Sequence, residues 1–223
     1  MDNVRIIEIK QSVFSDNEKE ANRLREELKR RKTFLLNVMS SPGSGKTTTL
    51  VALINKLKDK YKVAVMEADI DSYIDAKKIK EATGVNSIQL HTGGMCHLDA
   101  YMTKQGLDNV LDEHYDLVIL ENIGNLVCPA EFDTGASKNM NILSVPEGDD
   151  KPLKYPLMFQ VCDLVVINKI DVLPYFNFNI DKCKEYISKR NKNAEVISIS
   201  ALTGEGVDNL VNIISKEIED WRK

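Results

Sequence analysis

Short apolar runs alternate with longer amphipathic stretches along this chain, and that alternation sets the expected architecture. Phe34 to Met39, Val63-Ala64-Val65-Met66, Ile88-Gln89-Leu90, Leu117-Val118-Ile119-Leu120, Asn141 to Val145, Leu164 to Ile167 and Val196 to Ile199 read as strands. Most lack a polar alternate, which suits strands buried on both faces of a parallel sheet. Leu50, Val51, Leu53, Ile54 and Leu57 recur at helical spacing, and His97 to Glu113, Asp181 to Arg190 and Val207 to Trp221 predict further helices. Ahead of the first strand, the charged stretch Glu18 to Lys32 carries Ala21, Leu24 and Leu28 at helical spacing. It predicts a helix that either lies against the domain or projects from it. The expected fold is α/β, with a mainly parallel sheet flanked by helices. One domain is expected over 33–223, preceded by an N-terminal extension over 1–32. Cys128 to Asn139 and Glu147 to Lys154 break the periodicity and read as functional loops.

Between the first strand and its helix stands Ser40-Ser41-Pro42-Gly43-Ser44-Gly45-Lys46-Thr47-Thr48. A glycine-rich turn that joins a strand to a helix is the setting of a phosphate-binding P-loop. Backbone N–H groups freed in such a turn, together with the helix N-terminus, attract an anion. Lys46 is placed to reach the β- and γ-phosphates, and Thr47 to ligate Mg²⁺. The pattern departs from G-x-x-x-x-G-K-T at its first position, which is Ser40. Asn168-Lys169-Ile170-Asp171 then follows a predicted strand, and Ser200-Ala201 follows the next. A carboxylate only accepts hydrogen bonds, so Asp171 can take both N1–H and the N2 amino group of guanine, a pair that adenine lacks. The expected nucleotide is GTP or GDP.

Composition narrows the partners. At 223 residues with a net charge of −4 and a pI near 5.5, the chain offers no overall attraction for nucleic acid or anionic lipid. No stretch approaches membrane-spanning length, and the start lacks a signal peptide's apolar run, so a cytoplasmic location is expected. Four cysteines, Cys96, Cys128, Cys162 and Cys183, suggest thiols or metal ligands in place of a disulfide framework. Cys162 reads as core and Cys183 as incidental in a charged helix. Glu67, Asp69 and Glu121 end two strands and are candidates to hold Mg²⁺ directly or through water.

The sequence resembles the HypB family, the nickel-inserting GTPases of [NiFe] hydrogenase maturation. The resemblance runs from about Leu35 to Val211. It rests on Ser41 to Thr48, Glu67-Ala68-Asp69, Gly94-Met95-Cys96-His97-Leu98-Asp99-Ala100, Glu121 to Pro129 and Glu147 to Pro156. It implies a P-loop GTPase fold of the kind shared with signal-recognition GTPases (SIMIBI-like). It also implies a GTP-dependent homodimer that works with other maturation proteins and the hydrogenase large subunit. The family's N-terminal cysteine cluster and histidine-rich stretch are missing from this sequence, so metal handling is expected to rest on the GTPase domain.

Cys96, His97 and Cys128 are the candidate ligands for Ni²⁺ or Zn²⁺, since thiolate and imidazole suit both ions. Their spacing is not that of a zinc finger. Taken alone it leaves two buried cysteines and a surface histidine equally open, and the flanking family strings favour the metal. Three ligands leave a site that water or a second protomer would complete. By position, Gly124 is a switch glycine facing the γ-phosphate, and Cys128 follows four residues later. By resemblance, Asp75 orients or activates the attacking water, joining Lys46 and Gly124 in catalysis. Three alternatives remain: a urease-type nickel GTPase, a metal store with a vestigial nucleotide site, and a switch GTPase with a structural zinc.

Overall fold

A computed structural model describes residues 5–8, 17–69 and 74–223. Its centre is a sheet in the order β1-β4-β3-β5-β2-β6-β7-β8. The strands are β1 (Arg5–Glu8), β2 (Phe34–Ser40), β3 (Val63–Asp69), β4 (Asn86–His91), β5 (Leu117–Glu121), β6 (Lys138–Ser144), β7 (Leu164–Asn168) and β8 (Glu195–Ser198). Every pairing among them is parallel. Seven strands match the predicted runs, and β1 extends the sheet at the β4 edge.

Helices α1 (Asn17–Arg31), α2 (Lys46–Leu57), α3 (Ile74–Thr83), α4 (Ala100–Asp108), α5 (Cys128–Glu131), α6 (Lys151–Lys154), α7 (Pro156–Val161), α8 (Ile180–Ser188) and α9 (Val207–Arg222) cover the sheet. Alternation along β2 assigns the faces. Phe34, Leu36 and Val38 join the layer under α2, α3 and α9, while Leu35 joins the layer under α1 and α4. Met39 belongs to a third cluster under α5, α7 and α8.

Several boundaries differ from the sequence reading for local reasons. α4 begins at Ala100, because the Asp99 side chain accepts from Met102 N at 2.7 Å and caps the helix there. Residues 128–131 form one helical turn with Pro129 in its first turn, and β6 starts already at Lys138. The stretch 147–154 holds the end of a tight turn and then α6. Cys183 is not incidental: it is fully buried among Val165, Ile167 and Ile187, and burial pushes its thiol up to about 12. Cys162 is core as expected.

The charged N-terminal helix lies against the domain. Leu24 and Leu28 are buried with Leu35, Met102 and Leu107, at about 1.5–3 kcal/mol for each leucine. Trp221 on α9 packs edge-on against Phe34 at 6.1 Å, with the Lys29 ammonium over its ring. Among the described residues, no helix is long and apolar enough to cross a membrane.

Candidate functional site

A cavity of about 1070 Å³ opens at the carboxyl ends of β2, β3 and β5, where open parallel sheets bind ligands. The P-loop forms one wall. Ser40 is still the last residue of β2, fully buried, with its hydroxyl donating to Ser41 O at 2.8 Å. The backbone there is extended, so serine serves as well as glycine. Gly45 is different. Its φ of 94° favours glycine, and a Cβ would lie 2.6 Å from the Asn168 amide nitrogen. Helix α2 starts at Lys46, so its first N–H groups face the cavity together with Thr47 and Thr48. Gly124 sits against Pro42 and Lys46: an added Cβ would meet Pro42 Cγ at 3.3 Å and Lys46 Nζ at 3.5 Å.

Parallel register sets the acidic wall. Glu67 on β3 is opposite Glu121 on β5, and both are buried. Desolvation raises Glu67 to about 9, reinforced by the Glu121 charge. The neighbouring Gln89 side chain opposes that shift. Desolvation raises Glu121 to about 7 against the pull of the Lys46 ammonium and the Thr47 hydroxyl. One oxygen of each carboxyl, Glu67 Oε2 and Glu121 Oε2, is buried without a hydrogen-bond partner. Asp69 lines the same wall. Two orphaned carboxyl oxygens and a threonine hydroxyl form an all-oxygen donor set that fits Mg²⁺.

Both carboxyls bind protons more tightly in the folded chain than in the unfolded one. Stability therefore falls as pH rises from about 4.5 towards these values. The nucleotide-free and metal-free protein is expected to melt several degrees lower near pH 8.5 than near pH 6. Glu121→Gln should flatten that slope, as read from thermal melts across the range.

Asp75 opens α3 and faces the cavity, paired with Lys78 Nζ at 3.1 Å. The preceding string Asp71-Ser72-Tyr73 lies outside the described residues. Lys78 and Glu81 also line the cavity. They escaped the sequence reading because no helix was assigned there.

A second set of loops braces the P-loop. Asn168 donates to Ser44 O at 3.0 Å and accepts from Ala201 N at 3.1 Å. Lys169, held at φ 64°, donates to Gly43 O at 2.7 Å. Ser200 Oγ donates to Asp171 Oδ1 at 2.6 Å, which orients that carboxylate. Asn168 thus ties three loops together. A buried amide ladder, Asn122 to Asn37 at 3.1 Å and Asn37 to Asn139 at 2.9 Å, fixes the neighbouring strand ends. Asn37 inside the apolar run of β2 was the visible signal for it.

The family model for the CobW/HypB/UreG nucleotide-binding domain matches residues 34–198. The hydrogenase maturation factor HypB of Escherichia coli K12 is 44% identical over 208 residues, covering 93% of this chain and 71% of that protein. The chain belongs to the HypB family. A crystal structure of Helicobacter pylori HypB in complex with nickel superposes with a TM-score of 0.85 at 38% identity, covering 93% of this chain and 98% of that one. A crystal structure of the hydrogenase maturation factor HypB from Archaeoglobus fulgidus gives 0.84 at 32%, covering 92% and 100%.

The family strings around the cysteines meet at one place. Cys96 and Cys128 lie beside each other, and the neighbouring Cys128 thiol, with burial, holds Cys96 above its usual range. His97 is buried and stacked on Phe132, with ring centroids 3.6 Å apart. Desolvation lowers its pKa against the pull of Asp99 and Glu131, which favours the neutral imidazole that a metal requires. Among the described residues, no group of three His, Cys, Asp or Glu side chains is arranged as a metal site. The chain brings the two cysteines together and leaves the ligand set open.

Proposed function

We propose that this chain is a GTP-hydrolysing nickel metallochaperone of [NiFe] hydrogenase maturation, with its Cys/His site and dimerisation coupled to the nucleotide. The observation that carries this reading is the Cys96–Cys128 thiol pair at the end of the segment that begins at Gly124, beside Lys46. Residues 33–223 form the GTPase domain, and 1–32 are an N-terminal extension whose helix α1 packs on it. The protein acts in the cytoplasm.

In this reading Gly43, Ser44, Gly45, Lys46, Thr47 and Thr48 cradle the phosphates, while Asp171 selects guanine. Asn168, Lys169, Ser200 and Ala201 hold that base loop on the P-loop. Thr47, Glu67, Asp69 and Glu121 hold Mg²⁺, which supplies positive charge to the β- and γ-phosphate oxygens. Lys46 adds a second cation, and the Gly124 N–H faces the γ-phosphate. Asp75 orients the attacking water. Its partner Lys78 pairs with that carboxylate on the cavity wall.

Nickel is the cargo. Cys96, His97 and Cys128 supply two thiolates and an imidazole, a set that also accepts zinc. The ligand set left open in one protomer supports completion by a second copy across a twofold axis. Other maturation proteins and the hydrogenase large subunit are the partners that load and receive the metal. Cys128→Ala and Cys96→Ala are each expected to weaken Ni²⁺ binding by about 100-fold, through loss of one ligand from a minimal set. A titration followed by thiolate-to-nickel absorption checks this, and unchanged affinity in both variants would remove the site.

A further inference from the structure

The loops that carry Cys96 and Cys128 come from different strands, so their meeting needs a brace. Helix α1 supplies one. The Asn17 carboxamide, at the start of α1, donates from Nδ2 to Asp133 O at 3.0 Å and accepts at Oδ1 from Ala100 N at 2.9 Å. Ala100 lies four residues after Cys96, and Asp133 five after Cys128. One side chain therefore ties the two cysteine segments to each other.

Arg25, farther along α1, repeats the grip. It donates to Ala136 O at 2.9 Å and pairs with the Asp133 carboxylate. That carboxylate also accepts from Gly135 N at 2.9 Å. Gly135 adopts φ 75°, and a Cβ there would lie 2.8 Å from Leu24 Cδ2, so the loop 133–136 presses directly on the helix. Phe132, next in the chain to Asp133, is the ring on which His97 stacks. The contacts of Asn17 on α1 thus lie within five residues of each cysteine and one residue from the ring on which the histidine stacks.

We infer that α1 is a positioning element of the Cys96–Cys128 metal site, with Asn17 and Arg25 as positioning residues that hold the two cysteine segments together. This rests on the metal-site reading given above. None of these contacts touches the P-loop or the guanine-selecting loops, so their loss should act on metal and spare nucleotide. A metal site held loosely loses affinity, because binding must then order its ligands.

The test uses the full chain with Ni²⁺ as probe. Asn17→Ala and Arg25→Gln are each expected to weaken Ni²⁺ binding about 10-fold. The thiolate-to-nickel absorption per bound metal should fall, while GDP affinity and the melting temperature of the GDP-bound protein hold. Arg25→Gln keeps a polar side chain on a half-exposed site, so it remains informative if Asn17→Ala folds poorly. Cys96→Ala run in parallel separates the two claims. If it abolishes binding while both α1 variants bind with normal affinity and spectrum, the inference falls and the metal site stands. If Cys96→Ala binds nickel normally, both fall. A matched drop in GDP and Ni²⁺ affinity would indicate general loosening and would also overturn the inference.

Discussion

Lys46→Ala is expected to lower GTP turnover by about a thousandfold, the scale of losing one preorganised cation at a developing phosphate charge. Lys46 is the first residue of α2 and stands beside Gly124 at the mouth of the acidic wall. Its ammonium also pulls against the burial that raises Glu121. Alanine therefore removes a phosphate contact and leaves Glu121 more firmly protonated, a poorer ligand for a divalent ion. GTP affinity should fall as well, by at least about 10-fold. Single-turnover phosphate release and calorimetric titration separate the two effects. Turnover within about threefold of the parent would contradict the assignment.

The second large effect is a change of base preference. Asp171→Asn should cost GTP about 100- to 1000-fold in affinity, because a site built to accept from guanine's N1–H and N2 amino group then presents an amide donor to them. Xanthosine triphosphate carries a carbonyl at C2 in place of the amino group, so it should gain on the variant. The Ser200 hydroxyl that holds Asp171 Oδ1 can serve the asparagine oxygen in the same way. Equal GTP affinity in parent and variant, by competition with a fluorescent guanine nucleotide, would remove Asp171 from the base site. Asn168→Ala is a different change, since Asn168 spends its amide on Ser44 and Ala201 and supports the P-loop itself.

Seven of the eight strands among the described residues were legible because parallel strands buried on both faces are nearly all apolar. The edge strand β1 was not. Its four residues are too few for a periodicity to mark it. α3 escaped because only Ala76 and Ile79 of its described apolar side chains are buried, too few for a stripe. The P-loop and the Asn168 to Asp171 string were readable as residues, yet their bracing was not. That Asn168 spans from Ser44 to Ala201 depends on β7 lying two strands from β2, which no local pattern states. Cys183 was misread because a charged helix hides the one face it buries. Whether α1 packs or projects was likewise undecidable from three apolar positions, and it is settled by the fit of Leu24 and Leu28 under Leu35.

In the proposed function, nucleotide state and metal affinity are coupled along the segment from Gly124 to Cys128. A switch of this kind orders a loop when the γ-phosphate is present and releases it on hydrolysis. The direct test is Ni²⁺ affinity of the purified full chain, first with GDP and then with a non-hydrolysable GTP analogue, with mass followed in both. A difference of at least about 10-fold is expected, with a larger assembly in the presence of the analogue and, by linkage, the same factor in nucleotide affinity when nickel is added. Equal nickel affinity in the two nucleotide states, with mass unchanged, would contradict it.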